Sequence, residues 1–343
     1  MSSTKHLLDP ELRAMADGPF LHNLNDAKVA RIRQTMVDQL PALADPQPQG
    51  LYRKEIFAPQ ADGPAGRCLL YGSAEHENEA LTAAYLHVHG GGYLFGNPEG
   101  SDPMNRYIAS ELGVTVLSVD YRLAPEHPIP APLDDCYAAL GWLHENAAKL
   151  GVDPTRIGIG GESAGGGLAA ALAIKARDAG EYPICWQALT YPMLDNRTGS
   201  DAHPGDPLVG EFVWTRELNQ YGWQSYLGKA EAEAPQVPAR LQSYADLPPT
   251  WMFTATLDLF RDENIEYAQQ LMAAGVPCEL SVYPGACHAF QRIEQAGLSK
   301  RYRADLLAAL RKGLGCCPLT CFSCEPFNQS ETYSSVFSLT FAW

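Results

Sequence analysis

Gly161-Glu162-Ser163-Ala164-Gly165 follows an apolar run and precedes a helical one, so it places a serine at a sharp strand-to-helix turn. A second glycine-rich element, His89-Gly90-Gly91-Gly92, follows an earlier apolar run and offers bare backbone N–H groups. A Gly-x-Ser-x-Gly pentapeptide alone is expected by chance ~0.1 times in a chain of this length, so it is weak evidence taken singly. The two elements together are more constraining. They supply a nucleophile and an oxyanion-binding loop, the parts that acyl transfer needs.

The rest of the chain alternates in the way such turns require. Apolar strands are predicted at Cys68–Tyr71, Thr82–Val88, Val114–Val119, Arg156–Ile159, Ile184–Leu189, Trp251–Thr254 and Glu279–Tyr283. Helices are predicted at Asp135–Lys149, Ala164–Asp178, Asp262–Ala274 and Lys300–Leu310. Near-continuous apolar strands between helices imply an α/β fold with a mostly parallel sheet covered on both faces. Ligand sites in such sheets lie at the carboxyl ends of strands, where both glycine elements fall.

Two stretches depart from this alternation. Before residue 51, Asp9-Pro10-Glu11 reads as the start of one helix, and Asn25 or Asp26 as the cap of another. The second carries Val29, Ile32, Met36 and Leu40 on one face and is stopped by Pro41. Between Asp195 and Leu247 polar turns surround a helical stretch with Trp214, Leu218 and Tyr221 at i, i+4 and i+7, extended by Trp223 and Tyr226. The expected organisation is a helical cap segment over 1–50, a catalytic domain over 51–314 with a cap insertion at about 195–247, and an atypical tail over 315–343. The aromatic stripe is either core or the wall of an acyl pocket.

The tail, Cys316–Trp343, has two acidic residues and no basic ones, and it holds Cys316, Cys317, Cys321 and Cys324. Thiols so crowded do not match the two separated ligand pairs of structural zinc sites, so no metal is expected. Phe337, Leu339, Phe341 and Trp343 alternate as an added edge strand would. The remaining cysteines, Cys68, Cys136, Cys185, Cys278 and Cys287, read as reduced thiols of the body of the fold.

Charge narrows the function classes. Among 343 residues, 40 acidic and 25 basic side chains give a net charge of −15, which excludes partners that require basic patches, nucleic acid among them. Met1–Phe20 lacks the basic-then-apolar pattern of a secretory signal, and no apolar run reaches the ~18 residues of a membrane span, so a cytoplasmic location is expected. Asn196-Arg197-Thr198 and Asn328-Gln329-Ser330 are then chance matches to the glycosylation pattern.

A serine nucleophile needs a base, and the base needs an orienting acid. Of nine histidines, His288 is best placed, in the loop after the last predicted strand. His6, His22, His76, His144 and His203 read as solvated, His87 and His89 as scaffold, and His127 as part of a rigid loop. Asp258 lies just beyond Trp251–Thr254 and is favoured as the acid, whereas Asp262 reads as the N-cap of the next helix. The first oxyanion donor is the Ala164 N–H, with N–H groups of Gly90–Gly92 supplying the others. Glu162 reads as a carboxylate bracing the turn through nearby backbone, and Cys287 as an inert buried thiol.

His89-Gly90-Gly91-Gly92, Asp120-Tyr121-Arg122-Leu123-Ala124-Pro125-Glu126, Gly161–Gly166, Asp258-Leu259-Phe260-Arg261-Asp262-Glu263 and His288-Ala289-Phe290 together resemble the hormone-sensitive-lipase-like carboxylesterases. The resemblance covers roughly residues 51–314. It implies an α/β-hydrolase fold, a Ser163–Asp258–His288 triad in that chain order, and Gly91, Gly92 and Ala164 as oxyanion donors. It implies a small-molecule ester substrate, no cofactor, and possible homodimers. Three positions depart from the pattern: Leu259 stands where proline is usual, Glu162 where aspartate is common, and Ala289 where glycine is usual. An amidase or formamidase would use the same triad, and a receptor of the same fold would be expected to have lost a member of it.

Overall fold

The computed structural model describes residues 3–18, 21–39, 50–60, 63–73 and 81–316. His76, Leu40, Pro41, the Asn328 sequon and the tail from Cys317 lie outside the described residues.

Eight strands form one sheet: β1 (Leu51–Ala58), β2 (Gly66–Ser73), β3 (Thr82–Val88), β4 (Thr115–Val119), β5 (Val152–Glu162), β6 (Trp186–Thr190), β7 (Thr250–Ala255) and β8 (Cys278–Tyr283). Their order is β1-β2-β4-β3-β5-β6-β7-β8. β2 runs antiparallel to both neighbours, and all pairings from β4 to β8 are parallel. The chain reverses its strand order around β3 and β5, the two central strands, so the loops after them open at the middle of the sheet.

Helices cover both faces, as the continuous apolar strands require. On one face, Leu70, Leu86, Val88 and Ile159 pack with α3 (Ala131–Leu150), α4 (Ala164–Ala179) and α6 (Arg261–Ala273). On the other, Leu69, Tyr71, Tyr85 and Val116 pack with α2 (Asp102–Leu112) and α7 (Gly297–Gly313). Neighbouring residues of one strand enter different cores because successive side chains point to opposite faces. Among the described residues no helix is long and apolar enough to cross a membrane.

Some elements differ from the sequence expectation. β1 escapes notice because it is an edge strand carrying Arg53, Lys54 and Glu55 on an exposed run. α2 is hidden because its inward face is partly ionic: Arg106 pairs with Asp102 at 2.7 Å, and Asp102 also takes Arg53 at 2.8 Å. Asn105 is buried alongside them, so the apolar period is broken where the helix faces the core. At the N-terminus, Asp9 does cap, its carboxylate accepting from Glu11 N at 2.9 Å, but Pro10–Asp17 is a 3₁₀ rather than an α-helix. α1 (Asp26–Gln39) buries Val29 as the periodicity requires. α5 (Arg216–Leu227) begins after Thr215, so Trp214 precedes the helix rather than lying on its face.

Candidate active site

The turn between β5 and α4 forces an unusual backbone on Ser163, with φ 56° and ψ −121°. A non-glycine residue held there stores on the order of 1–3 kcal/mol of strain, and it persists only where its surroundings over-determine it. They do. Ser163 N donates to Thr190 O at 2.9 Å, and the Ser163 carbonyl accepts from Gly167 N and Met193 N, each at 3.0 Å. The flanking glycines are required by space, since a Cβ on Gly161 would strike Val88 O and lie 2.8 Å from Gly165. A Cβ on Gly165 would strike the Val88 and His89 carbonyls.

The turn aims the hydroxyl at His288, which follows β8. Ser163 Oγ lies 2.9 Å from His288 Nε2, and His288 Nδ1 lies 2.8 Å from Asp258 Oδ2. The carboxylate on the Nδ1 side fixes the tautomer, so Nδ1–H donates to Asp258 and Nε2 accepts from the serine. Asp258 is fixed in turn, its Oδ1 accepting from Phe260 N at 2.9 Å. All three are buried, with exposures of 6% for Ser163, 5% for His288 and 1% for Asp258. Asp262 is not the N-cap of α6: that position is Phe260, and Asp262 sits in the first turn paired with Arg261 at 2.7 Å. The cap lies two residues earlier than expected, and Asp258 holds the amide of the residue there.

The loop after β3 faces this group. Gly91 and Gly92 have φ of 131° and 62°, conformations that favour glycine. Gly90 approaches so closely that a Cβ there would lie 3.4 Å from Ser163 Cβ. None of the Gly91, Gly92 and Ala164 amides donates to an acceptor among the described residues. His89 braces the loop: its Nδ1–H donates to Gly90 O at 2.9 Å, and its ring stacks on Tyr121 at 4.3 Å. Burial pushes its pKa down to about 4, so the ring is neutral at physiological pH.

The geometry has counterparts. A family model described as alpha/beta hydrolase fold matches residues 85–292. Esterase LipI of Mycobacterium tuberculosis is 34% identical over 284 residues, spanning 80% of this chain and 85% of that protein. The chain belongs to the α/β-hydrolase family, in its hormone-sensitive-lipase-like branch. It is a carboxylic ester hydrolase. Carboxylesterase NlhH of the same organism is 41% identical over 212 residues, 60% of this chain and 65% of that one. Among solved structures, a bacterial heroin esterase superposes with a TM-score of 0.82 at 38% identity, covering 91% of this chain and 99% of that one.

Other parts of the hydrolase's site were less legible from sequence. Glu162 turns from the backbone to His87, whose Nε2 lies 3.0 Å from its carboxylate while Nδ1 meets Ser118 Oγ at 3.1 Å. The brace therefore runs side chain to side chain across β5, β3 and β4. Tyr191 and Phe260 flank the His288 ring at 4.6 and 5.3 Å. Tyr191, an aromatic just past a strand end, reads as core in the sequence, and Phe260 enters there only as a member of the Asp258–Glu263 motif. Cys287 is a buried free thiol pushed up to about 12 by its burial, in keeping with an inert role. Half-buried His144 differs from expectation, its Nε2 meeting Pro183 O at 3.1 Å and its ring stacking on Tyr182.

Proposed function

We propose that this enzyme hydrolyses short- to medium-chain acyl esters through a covalent acyl-enzyme. The observation that carries the reading is the unbroken hydrogen-bond chain from Ser163 through His288 to Asp258 at the N-terminus of α4. Ser163 Oγ attacks the ester carbonyl carbon as its proton passes to His288 Nε2. Asp258 stabilises the resulting imidazolium and holds its orientation. The negative oxygen of the tetrahedral intermediate accepts from the Gly91, Gly92 and Ala164 amides, aided by the positive end of the α4 dipole. Collapse expels the alcohol, which takes the proton from Nε2. Water, deprotonated by the same nitrogen, then attacks the acyl carbon and releases the acid and Ser163.

We assign the described residues of 1–50, with about 195–247, to a cap over this site. Three cross-contacts support it: Tyr221 donates to Asp26 at 2.7 Å, Asn23 N to Glu217 at 2.6 Å, and Thr4 N to Glu211 at 2.6 Å. Arg33 ties the cap to the loops below, donating from Nε to Leu94 O at 2.6 Å.

Initial rates on p-nitrophenyl esters, acetate to palmitate, test the reading against Ser163→Ala. The variant should lose on the order of 10⁴-fold or more in kcat with its fold intact. Undiminished hydrolysis by Ser163→Ala would remove the serine from the mechanism.

A further inference from the structure

The segment entering α5 holds a second strained position, and it is not a glycine. Val213 has φ 63°, and Trp214 N donates to Phe212 O at 2.7 Å across it, closing a three-residue γ-turn of the positive-φ kind. That turn is rare for any residue, and a β-branched side chain at positive φ is an outlier. The turn sends its two aromatic neighbours in different directions. Phe212 packs with Leu8, Leu257 and Cys287 beneath the His288 loop. Trp214 lies over the reacting groups.

The indole rests directly on the loop after β3: a Cβ on Gly92 would lie 2.7 Å from Trp214 Cζ2 and closer still to Cη2. Its ring centroid is 6.3 Å from that of His288. It is 7% exposed and cannot swing aside freely. Its Nε1–H donates to Asn219 Oδ1 at 3.1 Å, and Asn219 Nδ2 donates to Thr198 O at 2.7 Å. Gly222 of α5 meets the same edge of the ring: a Cβ there would lie 3.4 Å from Trp214 Cζ2 and 3.0 Å from Gly92 O.

We infer that Trp214 is a specificity-determining residue of this esterase, a fixed roof anchored on the carbonyl-binding loop that limits the length of the acyl chain. This rests on the reading of Ser163 and the Gly91–Gly92 amides given above. The acyl carbonyl is held by the amide next to the indole, so the acyl chain must leave the carbonyl beneath a wall that a hydrogen bond and a helix hold in place. Strain at Val213 is explained by what it positions, since strained residues persist where the geometry they enforce is used.

The test measures kcat/KM for p-nitrophenyl acetate, butyrate, octanoate and decanoate in the wild type, Trp214→Ala, Trp214→Phe, Asn219→Ala and Ser163→Ala. A parallel series holds the acyl group as acetate and varies the alcohol. Trp214→Ala should raise the decanoate-to-acetate ratio at least about tenfold, a change on the scale of one or two methylenes in a pocket. Asn219→Ala, which frees the indole, should shift the ratio the same way by less. Trp214→Phe, which keeps an aromatic wall and guards against loss of folding, should fall between wild type and Trp214→Ala. An equal loss on every ester, or a change confined to the alcohol series, overturns the roof. If Ser163→Ala still hydrolyses these esters, the reading of the site fails. If Ser163→Ala is inactive and the acyl profile ignores Trp214, only the roof fails.

Discussion

The two glycine-rich loops at the centre of the sheet differ in what bounds their glycines. In the turn around Ser163 the strain sits on the serine, at φ 56°, while Gly161 and Gly165 are there because a Cβ would collide with backbone carbonyls. In the loop after β3 Gly91 and Gly92 take φ of 131° and 62°, which glycine adopts without strain; Gly91 is bounded by the Phe95 carbonyl, but Gly92 by a side chain, the Trp214 indole. One loop is walled by the sheet's own backbone, which cannot yield. The other is walled partly by a residue that can be replaced. The position of Ser163 is thus fixed by the fold, whereas the ceiling over the Gly91–Gly92 loop is open to variation.

Double-mutant cycles test that contrast, and they should give the largest effect. Gly161→Ala should cost at least about 4 kcal/mol, at the severe end of single substitutions, because neither Val88 O nor Gly165 can move alone. Adding Trp214→Ala should leave that cost unchanged. Gly92→Ala should also destabilise, but there Trp214→Ala removes the colliding ring. The pair should couple favourably by about 2 kcal/mol, within the range of residues in contact. Urea unfolding of the single and double variants measures it, and equal coupling in both cycles would abolish the distinction.

The same contrast explains what the sequence made legible. The serine turn, His288 and Asp258 could be read because each pairs a reactive side chain with a strand end, and because backbone-limited glycines leave a fixed spacing. The parallel sheet could be read because buried strands are apolar throughout. The sequence admits Trp214 as a pocket wall but puts it on a helix face, since a γ-turn at a valine contradicts every local preference. α2 stayed hidden because an Asp102–Arg106 pair stands where its apolar stripe should run. Glu162 was expected to bond backbone, and its partner His87 could not be deduced because cross-strand register is a long-range property.

A second difference between the loops is chemical. The loop after β3 is braced by a neutral His89, whose pKa burial lowers from 6.5 to about 4. Between those values the unfolded chain binds a proton that the folded chain does not. His89 therefore adds a stability loss as pH falls from about 6.5 towards 4, absent above that window and on the order of 3 kcal/mol at its foot. Unfolding midpoints of wild type and His89→Gln across this range should converge by that amount as pH falls. Parallel curves would show that His89 does not titrate below its ordinary value, and would make the two loops equal in acid sensitivity.

The smallest effect concerns another non-glycine residue at positive φ, next to His288. Ala289, directly after His288, has φ 56° and ψ 26°, a left-handed conformation, where the resembled family usually has glycine. Ser163 shares that φ but on the proposed mechanism must keep its hydroxyl, so its strain cannot be relieved without removing the reaction. Ala289 contributes no reacting group, so its strain can be. A left-handed non-glycine residue costs about 1–2 kcal/mol, and glycine gives back part of the gain by adding freedom to the unfolded chain. Ala289→Gly should therefore stabilise the protein by about 0.5–1 kcal/mol in urea unfolding while kcat changes less than about twofold. A loss of stability instead would mean that the Ala289 methyl, itself buried, contributes more by packing than its backbone costs. Strain beside His288 would then belong with the backbone-walled serine turn, fixed by its surroundings, and not with the positions that remain free to vary.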